Sequence, residues 1–95
     1  MIGDENKHDG DKVRLDLVEP SFIEAVGRIR TYGVKKYKEE QSWRKVEKSR
    51  YIAAAMRHFE AYRKGEIYDS ESGFPHLWHC ACNIMFLIEM EGEEK

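Results

Sequence analysis

Gly73-Phe-Pro-His-Leu-Trp-His-Cys-Ala-Cys-Asn-Ile-Met-Phe-Leu-Ile-Glu-Met90 is apolar on almost every side and gathers its polar groups near one end. Proline suits the first turn of a helix, because its missing N–H would have no intrahelical partner there. The stretch therefore predicts a helix beginning at Phe74-Pro75. At about 100° per residue, His76, His79, Cys80 and Asn83 share one face, while Leu77, Ala81, Ile84 and Ile88 form a second stripe. Trp78, Cys82, Met85 and Phe86 cover most of the rest. A helix apolar nearly all round is a buried one, and buried polar groups are costly unless paired or bound to something. Two imidazoles and an amide on one buried face make a candidate site whose partners the rest of the chain must supply.

Working outward, residues 65–73 form a loop that carries Glu66, Asp69 and Glu71. Before it, Ser49 can cap a second helix running to Lys64, with Gly65 as its stop. The core stripe of that helix reads Tyr51, Ile52, Ala55, Phe59 and Tyr62, with His58 at its edge. Pro20-Ser21 opens a first helix whose stripe is Phe22, Val26, Ile29 and Gly33. Lys36 points near that stripe, either snorkelling past the helix end or reaching for a phosphate. Residues 38–48 are a charged connector with Trp43 as a plug over the core or a platform for a base. Lys12-Val-Arg-Leu-Asp-Leu-Val18 alternates with period two, an extended signature. No second convincing strand exists, so an arm over a helical body is the preferred reading. The expected fold is all-α: a small helical bundle of three main helices with an extended N-terminal arm. Residues 1–11 are a flexible arm, 12–91 one helical domain and 92–95 an acidic tail. Ninety-five residues offer little cover for a helix buried on all sides, so a homodimer or homotetramer is expected to complete the bundle.

Hydrophobic residues make up 41% and charged residues 36%, so a globular chain must carry most of its charge at the surface. Cys80 and Cys82 would point about 200° apart on a helix, so no disulfide between them is expected. The polar start reads as neither a signal peptide nor a membrane segment, which makes a cytoplasmic protein the default. Residues 21–64 carry a net charge of +7 and residues 65–95 a net −6. That asymmetry suits a phosphorylated ligand with a cation, or two solvated faces. Without a basic tail or an aromatic-basic repeat, neither a nucleic-acid nor a membrane partner is expected.

His76 and His79, three apart on one helix, can reach the same point. His58 lies on the preceding helix of an antiparallel hairpin, and the Asp69/Glu71 loop ends beside them. Such a cluster can hold a divalent cation, or serve as an acid/base centre. Histidines with carboxylate suit zinc, manganese, iron or nickel better than a pure magnesium site. Structural zinc through Cys80 ranks low, since no Cys-x-x-Cys is present. Neither a Walker loop nor Gly-x-Ser-x-Gly occurs. The adjacent pair His8-Asp9 falls in the arm and is not read as catalytic. Phosphate chemistry here would need a metal, with arginines and lysines clamping the anion.

Several motifs stand in series: Lys12-x-Arg14-Leu15-Asp16-Leu17-Val18-x-Pro20, Thr31-Tyr32-Gly33-x-Lys35-Lys36-Tyr37, Trp43, Arg50-Tyr51-x-x-Ala54-Ala55-x-Arg57-His58, and Asp69-x-Glu71-Ser72-Gly73-x-Pro75-His76-Leu77-x-His79-x-x-x-Asn83. From Lys12 to Glu89 this series resembles a phage family, that of the dATP/dGTP diphosphohydrolase N-terminal domain. In layout it is similar to the all-α NTP pyrophosphohydrolases of the MazG kind. Those typically place Glu-x-x-Glu and Glu-x-x-Asp around magnesium, where this chain has Arg57-His58-Phe59-Glu60 and His76-x-x-His79. The resemblance implies metal-dependent cleavage of dATP or dGTP to the monophosphate and pyrophosphate, in the host cytoplasm if the chain is phage-encoded. In the resulting expectation, His58, His76 and His79 with Asp69 or Glu71 surround the cation. Mg²⁺ or Mn²⁺ is expected ahead of Co²⁺, Ni²⁺ or Zn²⁺. Glu71 is preferred to orient or deprotonate the attacking water. Lys35, Lys36, Arg50 and Arg57 neutralise phosphates, while Lys12, Arg14 and Asp16 close over the ligand. Tyr37 or Trp43 stacks on the base, and Asn83 bonds to the ligand or to a histidine. The competing expectation is a helical module that binds a nucleotide or a protein without turnover.

Overall fold

Proline and glycine punctuate the chain much as their backbone chemistry demands. The computed structural model describes residues 12–93. The arm expected at 1–11, with His8-Asp9, and residues 94 and 95 of the expected tail lie outside the described residues. Pro20 is the first residue of helix α1, Pro20–Tyr37, where its fixed φ costs nothing. Lys38 ends that helix in the left-handed region at φ 63°, its N–H bonded to the Val34 carbonyl at 2.7 Å. A short 3-10 turn, Ser42–Lys45, leads into α2, Lys48–Arg63. Ser49 lies inside α2 instead of capping it: Glu47 precedes the helix, and its carbonyl accepts the Arg50 N–H at 3.0 Å. Gly65 follows at φ 103°, the expected stop. Helix α3, His76–Glu93, begins directly after Pro75 and continues past residue 91.

The period-two segment near the N-terminus folds differently from its pattern. Leu15–Leu17 form a 3-10 turn, and among the described residues there is no strand. Arg14 grips Asp16 through two hydrogen bonds of 2.8 Å, which favours a turn over an extended run. Val13, Leu15 and Leu17 are exposed, because alternation confers burial only where a sheet or helical face accepts the apolar side.

Helix α3 packs extensively on α2, and also on α1 and the Ser42–Lys45 turn, so it is the central element. Its Cys82 and Phe86 join Ile29 of α1 and Trp43 in the buried core, flanked by Val26, Tyr51, Trp78 and Met85. Trp43 stacks on Phe86 at 4.6 Å, and the Tyr51 hydroxyl donates to the Trp43 carbonyl at 2.7 Å. Burying side chains of this kind contributes roughly 1.5–3 kcal/mol each. Both cysteines are free and buried, with the Cys82 thiol pushed up to about 11 by burial. Cover is nevertheless incomplete. Leu77, Ile84 and Ile88 of α3 are exposed, as are Ile52 and Phe59 of α2 and Phe22 of α1. Two helices and the Ser42–Lys45 turn cover α3 on some of its sides only, so part of each expected core stripe faces outward. No helix among the described residues is long and apolar enough to cross a membrane.

Candidate metal centre

Residues 64–75 join α2 to α3, and their own backbone holds them folded. The Asp69 N–H donates to the Phe74 carbonyl at 2.8 Å, the Gly73 N–H to the Asp69 carbonyl at 2.7 Å, and the His76 N–H to the Ile67 carbonyl at 2.8 Å. Gly73 supplies the positive φ, 81°, that the reversal requires. The Ser72 N–H donates to Asp69 Oδ2 at 3.0 Å, and Ser72 Oγ accepts the Phe74 N–H at 3.1 Å. Asp and Ser commonly build turns through such local bonds. Here they fix the Asp69 carboxylate beside the first turn of α3.

Three histidines meet there. His58 Nδ1 of α2 stands 2.8 Å from His76 Nδ1 of α3. His76 is 4% exposed, and its Nε2 lies 2.9 Å from Glu66 Oε2. The His58 ring stacks on His79 at 4.4 Å. His79 Nε2 shares a 2.7 Å hydrogen bond with Ser72 Oγ and sits 3.7 Å from Asp69 Oδ2. One ligand atom each from His58, Asp69 and His76 lies within 4.8 Å of the other two.

The protonation states suit a cation. Burial, with the neighbouring His79, drives His58 down to about 4. Burial also lowers His79, against the opposing pull of Asp69. Both rings are thus neutral at pH 7 and can offer lone pairs. Burial would raise Asp69, but the bonds from Ser72 and the nearby histidines outweigh it, and its carboxyl is held below the usual range. Neutral imidazoles with an ionised carboxylate form a donor set for a borderline divalent cation. With metal–nitrogen bonds of ~2.1 Å, two ligands at right angles stand ~3 Å apart, near the separation of the two Nδ1 atoms. Glu66 on the far nitrogen of His76 is the outer partner that metal-bound histidines ordinarily have.

The other expected residues are distributed around this cluster. Asp69 converges with the histidines, while Glu71 is paired at 2.9 Å with Lys36. Glu71 and Lys36 both act electrostatically on His79, which places them at the edge of the site. Arg57 acts on His58 in the same way. Lys35 and Arg50 are exposed on α1 and α2. Lys12 is exposed, and Arg14 and Asp16 pair with each other. The Asn83 amide donates to the His79 carbonyl at 2.9 Å. Trp43 is buried, whereas Tyr37 is exposed with Lys36 over its ring at 5.4 Å. A pocket of about 440 Å³ opens between α1, the Ser42–Lys45 turn and α3, and Tyr37, Trp43, Asn83 and His79 all line it. Glu66 and Ser72, named in the loop and in the motif series, had no site role predicted for them. Their spacings to His76 and His79, ten and seven residues across a loop, follow no helical period. Only the Asp-x-x-Ser turn pattern signals Ser72 beforehand.

An all-α bundle with histidines and a carboxylate converging across a helical hairpin defines the class: a helical domain with a candidate divalent-cation centre beside a pocket. The profile of the family described as dATP/dGTP diphosphohydrolase, N-terminal, matches residues 3–95, and the chain belongs to that family. It is 33% identical over 82 residues to the dATP/dGTP diphosphohydrolase of Salmonella phage PMBT28, covering 86% of this chain and 28% of that protein. The chain thus spans little more than a quarter of that relative's length. No solved structure matches it.

Proposed function

We propose that the chain is a divalent-cation-dependent nucleotide pyrophosphohydrolase domain acting on purine deoxynucleoside triphosphates. The convergence of His58, Asp69 and His76 carries this reading, with family membership and the relative's name in support. In it, water forms a bond to the α-phosphorus, the bond from that phosphorus to the bridging oxygen breaks, and pyrophosphate leaves with that oxygen. His58, His76 and Asp69 hold the cation, Mn²⁺ in preference to Mg²⁺ for this donor set. When bound, the cation supplies charge neutralisation at the phosphates and a more acidic water. His79, stacked on His58 and tied to Ser72, keeps the cluster rigid. Glu71 takes the proton of the attacking water, and Lys36, its partner in the resting chain, turns to the phosphates. The test is incubation of the chain with dATP and dGTP in Mn²⁺, Mg²⁺ or EDTA. Metal-dependent dNMP and pyrophosphate in equal amounts are expected, and absence of turnover with every metal counts against the reading. One observation favours a second reading: the match covers only 28% of the relative, so that protein's chemistry can lie outside the matched part. Nucleotide binding without turnover would then make this a binding module.

The same proposal includes self-association. Ile52, Met56 and Phe59 of α2 and Leu77, Ile84 and Ile88 of α3 are exposed, and a groove of about 340 Å³ between the helices is lined by Met56, Phe59 and Ile84. A second copy covering this face gives a homodimer, and light scattering of the purified chain measures it.

A further inference from the structure

The 440 Å³ pocket is lined by an arginine and a carboxylate that do not pair with each other, Arg30 and Glu39. Glu39 makes no hydrogen bond or ion pair among the described residues. Arg30 gives one N–H to the Glu40 carbonyl and lays its guanidinium 5.5 Å from the Phe86 ring centre, which leaves further donors for a ligand. Asn83 spends its amide nitrogen on the His79 carbonyl, so its Oδ1 remains an acceptor at the pocket wall. The aromatic rings of Tyr32 and Trp43 complete an apolar lining. At this volume the pocket falls in the ~300–1,000 Å³ range of small-molecule sites, whose few polar groups fix orientation. His79 belongs both to the pocket wall and to the histidine stack. A ligand seated in the pocket therefore directs its other end toward the metal centre.

Resting on the nucleotide reading above, we infer that this pocket receives the base and that Glu39 and Arg30 select guanine over adenine. Guanine presents N1–H and an exocyclic amine side by side, a match for the two oxygens of one carboxylate. Its O6 and N7 are adjacent acceptors, the usual bidentate partner of arginine. Adenine reverses both edges: its N1 is a lone pair that repels a carboxylate, and its 6-amino group replaces the O6 acceptor. Glu39 is exposed and Arg30 half-buried at the pocket rim, so discrimination comes from matched against opposed hydrogen-bonding edges and is expected to be moderate. Asn83 Oδ1 adds an acceptor compatible with either base and carries no discrimination.

Calorimetric binding of dGMP, dIMP and dAMP to the full chain tests this without turnover. The wild-type chain is expected to bind dGMP about tenfold or more tighter than dAMP, with dIMP, which lacks the 2-amino group, between them. Glu39→Gln should weaken dGMP about tenfold and leave dAMP unweakened or bound more tightly, since the repulsion at its N1 is removed. Glu39 sits on an exposed connector, so circular dichroism of that variant should match the wild type. Equal affinity for dGMP and dAMP, or equal loss of both in Glu39→Gln, overturns the inference, as does binding of none of the three. Guanine-selective binding without hydrolysis keeps it and removes the pyrophosphohydrolase reading. Hydrolysis of dGTP and dATP at equal kcat/KM, unchanged in ratio by Glu39→Gln, does the reverse.

Discussion

Nδ1 of His58 and Nδ1 of His76 face each other across 2.8 Å, and in the metal-free chain one must donate to the other. That contact is incompatible with two charged rings. His58 is held near 4, below its ordinary value, so the unfolded chain binds more protons between about pH 4 and 6.5. Stability of the metal-free chain must fall as pH drops through that window. Thermal melts in EDTA should give a lower Tm at pH 5 than at pH 7, and His58→Gln should flatten the dependence. A flat wild-type profile would contradict the neutral-imidazole assignment. Glu66 belongs to the same scale. Holding the far nitrogen of His76, it orients the ring, so Glu66→Gln should weaken cation binding about 10–100-fold with the fold intact. The histidines were legible in the sequence because i, i+3 spacing on a helix is a fixed geometry. Glu66 was not, because its approach depends on how residues 64–75 close.

At the scale of elements, the helices were readable and their exact ends and faces were not. Pro20, Gly65 and Pro75 mark boundaries by chemistry intrinsic to each residue. Ser49 looked like a cap, but the helix begins before it, at Lys48, with Glu47 in the extended cap conformation, and a serine caps only where its own backbone is outside the helical region. The outward turn of Ile52, Phe59 and Ile84 was equally hidden: periodicity shows that a face is apolar, and the neighbouring elements decide whether it is covered. The loop that builds the site depends on Gly73 at φ 81°, with open space around the position of an added Cβ. Gly73→Ala should therefore cost about 1–2 kcal/mol through backbone strain alone, and chemical denaturation measures it. At Lys38, φ 63°, the opposite change applies: Lys38→Gly should stabilise α1 by up to ~1 kcal/mol.

At the scale of the molecule, the core is small, and among the described residues no side chain is wholly removed from solvent. Phe86 stacks on Trp43, meets Tyr51 at a tilt and lies beneath Arg30, so Phe86→Ala should cost roughly 3–5 kcal/mol and open the floor of the pocket. The charge asymmetry seen in the sequence acquires a meaning at this scale. Acidic residues of the 64–75 loop surround the histidines, while Lys36 and Arg57 lie at the margin. In the proposed reaction, cation and phosphates would be met by neighbouring surfaces of the α2–α3 hairpin and the end of α1.

The most direct measurement is calorimetric titration of Mn²⁺ into the metal-free chain at pH 7, beside His76→Ala and Asp69→Asn. One ion per chain in the wild type, and at least about a hundredfold weaker binding in both variants, is the predicted result. Binding unchanged by either substitution, or no binding by the folded wild type, would contradict a cation held by His58, Asp69 and His76.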